Sequence, residues 1–254
     1  MIDLSEKVVL VTGASRGIGA ACAQVLATAG ASVILHYGRS LEQAQALAHQ
    51  IGPRASLVQA DLCEPGVARG LWRDALAIHG RIDVLVNNAG ILFDAPLEGD
   101  DETWARAWQE MLQVNLVAVA DLCREAVATF PQNPGKTKGI IINISSRAAF
   151  MGSTAARMPY SASKAGVIAL TRSLARSYAK SGVLAYALAP GFVQSDMADY
   201  SIEQYGLEKL LSDNPMGEMA LPEDIAHTVA FLASGLVPHM TGVTLDINGA
   251  SYVR

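Results

Sequence analysis

The sequence predicts an α/β fold, with a doubly wound parallel sheet of about seven strands and helices on both faces. Short aliphatic runs alternate with longer helical patterns along the whole chain. The short runs are almost continuously apolar, which is typical of strands that are covered on both faces. No linker-like or repetitive stretch divides the chain, so we expect residues 1–254 to form a single domain.

The pattern places seven strands and six helices in alternation. The strands are expected at 7–12, 32–37, 55–59, 82–86, 139–144, 183–189 and 242–247, and the helices at 17–29, 40–50, 64–79, 102–130, 160–181 and 223–234. Alternation of this kind gives right-handed βαβ units and therefore a parallel sheet. Ligands of such sheets bind beyond the carboxyl ends of the strands. We therefore expect the functional residues directly after strands.

The composition indicates a large apolar core and argues against several classes of protein. Hydrophobic residues make up 51% of the chain and charged residues 17%, and a net charge of −5 gives no reason to expect nucleic acid. No apolar run approaches the ~20 residues of a membrane span. The first residues lack the pattern of a secretory signal. Cys22, Cys63 and Cys123 lack metal-binding spacing, so we expect packed, reduced thiols, no metal and a cytoplasmic protein.

The stretch TGASRGIG, at 12–19, follows the first expected strand and leads into the first expected helix. Its glycines allow a tight turn, a close approach of backbone amides to a diphosphate, and seating of the helix on the strand. This position within a βαβ unit predicts a dinucleotide site. The contacts expected from the turn are Gly13, Ser15, Arg16, Gly17, Ile18 and Gly19.

The end of the second strand favours NADP(H) over NAD(H). An NAD site usually has a carboxylate there, but this strand ends in HYGRS and the first carboxylate is Glu42. Tyr37 and Arg39 occupy the place instead, and Arg16 is within reach. Guanidinium groups without a competing carboxylate suit a 2′-phosphate. The alternative is that both arginines only face solvent.

The stretch YSASK places a phenol and an ammonium four residues apart. On a helix, Tyr160 and Lys164 would share one face. The ammonium could then make the phenol a better proton donor near neutral pH. The alternative is a pair on the helix surface with no function, and these two residues alone do not decide between the two.

Further stretches follow later strands in a recognisable order: NNAG at 87–90, INISS at 142–146 and PGFVQSDM at 190–197. Together with the glycine turn and YSASK, they resemble the classical short-chain dehydrogenase/reductase family over essentially the whole chain. Within it, the pattern most resembles the 3-oxoacyl-acyl-carrier-protein reductases. The resemblance implies a Rossmann-type fold, hydride transfer between a nicotinamide and a carbonyl or secondary alcohol, a place in fatty acid biosynthesis, and a homotetramer.

The resemblance assigns four residues to catalysis. It makes Tyr160 the proton donor, Lys164 the ribose-binding lysine, Ser146 the residue that orients the substrate, and Asn115 the residue that holds a water of the proton relay. Lowering the pKa of a tyrosine by ~3 units takes about 4 kcal/mol. One ammonium at ~4–5 Å supplies roughly that amount at an effective dielectric constant near 20. We therefore expect Lys164 to lower the pKa of Tyr160.

The resemblance also implies further cofactor contacts, with Tyr160 and Lys164 counted among them. Those after the third, fourth and sixth strands are Asp61, Leu62, Asn88, Ala89, Gly90, Pro190, Gly191 and Val193. Asp61 would contact the adenine; alternatively, it caps the next helix. Departures from the family pattern at Tyr186, Glu218 and Ser181 leave the catalytic set intact, but they weaken the link to fatty acid elongation.

An apolar, methionine-bearing segment at about 194–220 is expected to act as a substrate lid, and it suits an acyl chain. Alternatively, it packs on the domain or on a neighbouring subunit. The leading expectation is an NADP(H)-dependent 3-oxoacyl-thioester reductase, with a small-molecule or acyl-thioester substrate and acyl carrier protein as a candidate partner. The alternatives are an alcohol, sugar or hydroxysteroid dehydrogenase, or a non-catalytic NADP(H)-binding regulatory protein.

Overall fold

The computed structural model describes residues 2–254, in which seven strands form one parallel sheet. The strands are β1 (Val8–Val11), β2 (Ser32–Tyr37), β3 (Ala55–Gln59), β4 (Val84–Asn87), β5 (Gly139–Ile144), β6 (Val183–Pro190) and β7 (Thr244–Ile247). Their order in the sheet is β3-β2-β1-β4-β5-β6-β7. All neighbouring strands are parallel. Each expected strand is present, with boundaries within two residues of those predicted.

Within residues 2–254, ten α-helices connect or follow the strands. They are α1 (Gly17–Thr28), α2 (Leu41–Ile51), α3 (Val67–His79), α4 (Asp101–Leu112), α5 (Ala118–Thr129), α6 (Ala148–Met151), α7 (Met158–Tyr178), α8 (Asp196–Tyr205), α9 (Leu207–Leu211) and α10 (Pro222–Ala233). The helix predicted over 102–130 is interrupted by a π-helical turn at Gln113–Val117. The short helices α6, α8 and α9 were not predicted. None of the helices among the described residues is both long and apolar enough to cross a membrane.

The unpredicted helix α8 has a clear local origin. Ser195 is its N-cap and accepts a hydrogen bond from the Ala198 amide at 3.4 Å. Asp196 and Asp199 lie in its first turn, where negative charge is favourable. A sequence search for apolar periodicity misses this helix because most of its residues are polar or small.

The apolar core forms two layers, one on each face of the sheet. Alternate residues of a strand point to opposite faces, so Val9 and Val11 join one layer while Leu10 joins the other. The first layer packs under α1, α2 and α10, and the second under α3, α5 and α7. Helices on both faces explain why the strands are almost continuously apolar.

The turn after β1 is held by a buried histidine. The Gly13 amide donates to Nδ1 of His36 at 3.1 Å, and Nε2 of the same ring lies 3.0 Å from the Ala60 carbonyl oxygen. Both contacts are satisfied only when Nδ1 accepts and Nε2 carries the proton, so the ring is neutral. Burial lowers the pKa of His36 to about 4. This ring connects the glycine turn to β2 and β3.

Replacing Gly19 by alanine should destabilise the protein, because a Cβ there would overlap the Gly13 carbonyl and lie 2.5 Å from Nδ2 of Asn88. Overpacking of this kind typically destabilises by about 1–3 kcal/mol. Gly70 is the matched control, since the atom nearest to its added Cβ is Nη2 of Arg73 at 3.9 Å. Gly70→Ala should stabilise the helix by about 0.5–1 kcal/mol. Urea denaturation measures both changes, and an unchanged midpoint for Gly19→Ala would contradict this packing.

The stability of the protein should fall as the pH is lowered from 6.5 to 4. The pKa of His36 is lower in the folded state, so its contribution is fully present above the unfolded value of 6.5 and is lost as the pH falls toward about 4. The loss is about 3 kcal/mol over this window. His36→Gln should flatten this part of the pH dependence of unfolding, whereas His49→Gln, on the exposed side of α2, should leave it in place. Equal pH dependence in both variants would exclude His36 as the cause.

Candidate active site

A cleft of about 1430 Å³ lies beyond the carboxyl ends of the strands. Most of the residues predicted for the site line it. They are Gly13, Ser15, Arg16, Gly17, Ile18, Arg39, Asp61, Leu62, Asn88, Ala89, Gly90, Ser146, Tyr160, Lys164, Pro190, Gly191 and Val193. The reversal of strand order between β1 and β4 opens the cleft at this edge, where parallel sheets bind ligands.

Three predicted residues do not line the cleft. Gly19 lies under the turn, where it leaves room for the Gly13 carbonyl. Tyr37 is still paired in the sheet, opposite Gln59, and its neighbours His36 and Gly38 line the cleft instead. Asn115 is fully buried behind the cleft. Cofactor contact by Gly19 and Tyr37 and the holding of a relay water by Asn115 stay predictions, since none of the three residues lines the cleft of the chain alone.

Asn115 holds the backbone beside the cleft rather than facing into it. Its Oδ1 accepts from the Ile91 amide at 2.8 Å, and its Nδ2 donates to the Ile91 carbonyl at 3.0 Å and to Oγ of Ser163 at 3.2 Å. It lies in the π-helical turn, a feature that is frequent at functional sites. The side chain thus ties the segment after β4 to α7.

The motif YSASK forms the start of α7 and brings its two groups onto one face. The ammonium of Lys164 lies 5.8 Å from the centre of the Tyr160 ring. It donates to the Ile144 carbonyl at 2.9 Å and is buried. The helix therefore places the phenol at the cleft and the ammonium directly behind it.

The expectation that Lys164 lowers the pKa of Tyr160 is wrong for the chain alone. Burial raises the pKa of Tyr160, and the Ser146 hydroxyl and the Arg157 guanidinium oppose only part of that shift. Burial also lowers the pKa of Lys164 to about 8. Removing either charge from water is unfavourable, and the ammonium is directed at a carbonyl oxygen rather than at the phenol. Burial therefore outweighs their attraction.

The two serines after β5 have different partners. The Ser145 hydroxyl donates to the Lys164 carbonyl at 2.8 Å and is buried against α7. The Ser146 oxygen accepts from the Ala148 amide at 3.2 Å and is partly exposed in the cleft. Of the two serines, Ser146 is therefore the one whose hydroxyl faces the cleft, beside the Tyr160 phenol.

The arginines at the far end of the cleft are paired with carboxylates. Arg39 donates through Nε and Nη2 to Oδ2 of Asp61, at 3.2 and 3.0 Å. Nη1 of Arg16 lies 3.0 Å from Oδ2 of Asp196. Each guanidinium therefore has a carboxylate partner in the chain alone, although neither carboxylate lies at the end of β2. Both arginine side chains are largely exposed, at 84% and 64%, and such surface pairs contribute only about 0–1 kcal/mol.

Asp61 does not cap the helix that follows it. Its Oδ1 accepts from the Cys63 amide at 3.1 Å, which closes a turn directly after β3. The N-cap of α3 is Gly66, which has a left-handed backbone. The amide of Cys63 and the guanidinium of Arg39 together lower the pKa of Asp61. The carboxylate is therefore fixed at the wall of the cleft.

Backbone contacts brace the segments after β4 and β6. Nδ2 of Asn88 donates to the carbonyls of Thr12 and Gly13, at 2.9 and 3.1 Å, so its side chain holds the glycine turn. The Gly191 amide donates to the Ile247 carbonyl at 2.9 Å. These contacts position backbone atoms along the cleft.

The three cysteines are free thiols. Cys22 and Cys123 are buried, and burial raises the pKa of each to about 12. Cys63 differs from the expectation of a packed thiol, because it is partly exposed and lines the cleft.

Sequence reasoning missed a buried ion pair in the cleft wall. Nε of Arg157 lies 2.7 Å from Oδ1 of Asp94, and Nη1 donates to Oγ of Ser201 at 2.9 Å. A charged residue three positions before Tyr160 is the only local signal. Its partner Asp94 is 63 residues away, so no local pattern could identify it.

Known proteins resemble this chain over almost its full length. A family model described as short chain dehydrogenase matches residues 7–206. The 3-oxoacyl-[acyl-carrier-protein] reductase FabG of Staphylococcus aureus (strain Mu50) is 38% identical over 250 residues, which are 97% of this chain and 98% of that protein. The 3-oxoacyl-[acyl-carrier-protein] reductase of Synechocystis sp. (strain PCC 6803) is 38% identical over 253 residues, which are 98% of each chain.

The fold comparison agrees with the sequence comparison. A dehydrogenase/reductase from Sinorhizobium meliloti 1021 has a crystal structure that superposes with a TM-score of 0.89 and 34% identity, over 99% of this chain and 97% of that one. Since the family model covers well over half of the chain and the relatives match almost all of it, the chain belongs to the short-chain dehydrogenase/reductase family and is an oxidoreductase that acts on CH–OH groups with a nicotinamide cofactor.

Proposed function

We propose that this protein is an NADP(H)-dependent reductase of 3-oxoacyl thioesters, with the acyl chain carried by acyl carrier protein, in fatty acid biosynthesis. The observation that carries the proposal is the meeting of Ser146, Tyr160 and Lys164 in one cleft at the carboxyl edge of the sheet. The substrate class rests on the two relatives at 38% identity, both of which are 3-oxoacyl-[acyl-carrier-protein] reductases.

The cleft suits a dinucleotide at its β1 end. Gly13 and Gly17 have left-handed backbones, with φ of 61° and 53°, and a Cβ on Gly13 would lie 2.9 Å from Cα of Ala89. The turn can therefore approach the segment after β4 closely and present amides at the start of α1 to a diphosphate. Ser15 and Ile18 line the same wall. When bound, the nicotinamide supplies or accepts the hydride.

The residues of the chain would handle the proton and the developing charge. The Ser146 hydroxyl would donate a hydrogen bond to the substrate carbonyl oxygen and stabilise negative charge there. The Tyr160 hydroxyl would give its proton to the same oxygen. Lys164 would hold the ribose and place positive charge behind the phenol, and Asn115 would keep the adjacent backbone and α7 in register.

The choice of NADP(H) is supported by the chemistry at the ends of β2 and β3. Arg39 and Arg16 are exposed at this end of the cleft, and no carboxylate occupies the end of β2 itself. A 2′-phosphate would replace Asp61 as the partner of Arg39, since a phosphate accepts a bidentate bond from guanidinium. Asp61 would then be free to contact the adenine or ribose.

We propose that residues 194–220 of this single domain form the substrate lid. The segment contains α8 and α9, and Met197 and Tyr200 line the cleft. A bridge between Val193 and Ala220 brings its two ends together. An ion pair of 3.0 Å between Arg147 and Asp213 fixes its far part to the loop after Ser146. A lid that places Met197 and Tyr200 over the cleft would exclude water from the reaction.

The proposal includes a cytoplasmic homotetramer. The free thiols suit a reducing compartment. Large apolar side chains are exposed in the π-helical turn and near the end of the chain, including Val117 at 43% and Leu236 at 68%. Exposed apolar groups in these places suit contacts between subunits.

The substrate class is tested by steady-state kinetics. Acetoacetyl thioesters and a panel of alcohols, sugars and hydroxysteroids are offered with NADPH or NADP⁺. The proposal is supported if an acetoacetyl thioester has the highest kcat/KM of all the substrates tested. Turnover restricted to an alcohol or a sugar would move the protein to another branch of the family, and no turnover of any 3-oxoacyl thioester would reject the proposed substrate.

Tyr160→Phe should lower kcat by about 10²–10⁴, because it removes the general acid. NADPH binding, measured by fluorescence, should change little, since the ring that packs in the cleft remains. Tyr178→Phe is the matched control, because this tyrosine lies at the other end of the same helix and is exposed. Retained activity in Tyr160→Phe would contradict the assigned role.

Arg39→Asp should lower the ratio of NADPH to NADH affinity by about 10–100-fold, since a charged hydrogen bond to the phosphate contributes about 1.5–3 kcal/mol. Asp61→Asn should raise the ratio, because it removes the carboxylate that competes for Arg39. Fluorescence titration with each cofactor measures both changes. Arg73→Asp, which lies on α3 outside the cleft, is the control. If neither substitution changed the ratio of NADPH to NADH affinity, another group would bind the phosphate.

A further inference from the structure

Arg157 joins three parts of the chain that are distant in sequence. It directly precedes α7, three residues before Tyr160. Its Nε contacts Asp94 in the segment after β4, and its Nη1 contacts Ser201 in α8. The guanidinium also lies over the rings of Tyr205, at 4.8 Å from the ring centre, and Tyr200, at 5.6 Å. One side chain therefore connects the lid to the start of the catalytic helix.

The partners of Arg157 are oriented to receive it. The Ser201 hydroxyl donates to the Met197 carbonyl at 3.2 Å, so its oxygen is free to accept from the guanidinium. The Tyr205 hydroxyl donates to Oδ2 of Asp94 at 3.3 Å, while Oδ1 accepts from Arg157. Both carboxylate oxygens are thus used, one by the arginine and one by α8.

This arrangement is unusual for a purely structural arginine. The side chain is only 7% exposed, and a buried guanidinium is unfavourable unless its donors are satisfied. Yet Nη2 has no hydrogen-bond partner within the described residues. Arg157 lines the same cleft as Ser146 and Tyr160. A buried charge that is kept beside reacting groups, with a donor to spare, points to a role in the site.

Several ionisable groups surround Tyr160. Lys164 lies one turn along α7, and Arg157, with its partner Asp94, lies three residues before Tyr160 at the start of the helix. Other ionisable groups of the cleft wall and lid include Glu110 from α4, Arg147 with Asp213, and Asp196, Tyr200 and Tyr205 from α8. Of these groups, Arg157 is the one whose charge lowers the pKa of Tyr160.

We propose that Arg157 is a positioning residue for the proposed reductase: its guanidinium fixes α8 to the start of α7, and its charge, set against Asp94, acts on the Tyr160 hydroxyl. The inference rests on the proposed function for its catalytic meaning. The contact between Arg157 and α8, and the effect of the Arg157 charge on Tyr160, do not depend on which carbonyl compound is the substrate.

The test uses three variants that separate charge from contact. Arg157→Gln removes the charge and most of the contacts. Arg157→Lys keeps the charge but loses the planar fork of donors. Asp94→Asn keeps the Arg157 charge, removes the carboxylate that balances it, and weakens the bond to α8. Circular dichroism establishes that each variant is folded.

The first measurement is hydrogen exchange of the α8 amides in the full-length protein. Arg157→Gln and Asp94→Asn should both speed exchange in 196–205, and exchange in α3 should not change. Unaltered protection of α8 in both variants would overturn the contact between Arg157 and the lid.

The second measurement is the titration of the Tyr160 phenolate, followed by ultraviolet absorbance as the difference between each variant and the same variant carrying Tyr160→Phe. A nearby charge shifts a pKa by about 1–3 units, and Asp94 offsets part of this. Arg157→Gln should therefore raise the pKa of Tyr160 by about one unit. Asp94→Asn should lower it, and Arg157→Lys should leave it nearly unchanged.

The opposite signs distinguish the proposal from a merely structural role. Loosening of α8 alone predicts shifts in the same direction for Arg157→Gln and Asp94→Asn, or no shift, and either result would overturn the electrostatic part. In the reductive reaction Tyr160 acts as an acid, so the fall of kcat/KM at high pH should move in the same direction as the phenolate titration. Loss of all turnover with 3-oxoacyl thioesters in the unmodified protein would reject the proposed function, whereas the exchange and titration results would still decide the role of Arg157.

Discussion

The site depends on the close approach of two backbone segments, the turn after β1 and the segment after β4. Nδ2 of Asn88 donates to the carbonyls of Thr12 and Gly13, and the Thr12 hydroxyl oxygen accepts from the amides of Asn88 and Ala89 at 3.0 Å. A side chain at Gly13 would separate them. β1 and β4 are neighbours in the sheet, and the chain continues from them toward opposite edges of the sheet. The contact between the segments that follow these two strands therefore forms the floor of the cleft.

The parts of the fold that local patterns encode could be predicted from the sequence. Continuous apolar runs mark buried strands, and all seven were found. The glycine turn and YSASK are short motifs whose geometry follows from backbone freedom and helix periodicity. Their meeting in one cleft follows from the parallel sheet, because its strands all end at one edge. Ser146 and Tyr160 therefore reach the cleft as expected.

Features that depend on contacts between distant residues could not be predicted. Arg39, after β2, pairs with Asp61, after the neighbouring strand β3, and Arg157 pairs with Asp94. The sequence around each arginine does not reveal its carboxylate partner. The ionisation of Tyr160 depends on how deeply the fold buries it, a quantity that spacing does not contain. Helix α8 was also missed, because an N-cap and two acidic residues stabilise its start and it has no apolar stripe.

The π-helical turn at Gln113–Val117 has a consequence for how the chain tolerates change in length. Each residue advances an α-helix by about 100°, so one extra residue rotates α5 relative to α4. This phase offset lets α4 direct Ala107 and Met111 toward the small cluster beside Tyr160, while α5 directs Leu122 into the core beneath the sheet. The irregular turn thus sets the rotation between α4 and α5. Deleting one residue there would make α4 and α5 one regular helix, and the apolar face of either α4 or α5 would then point toward water.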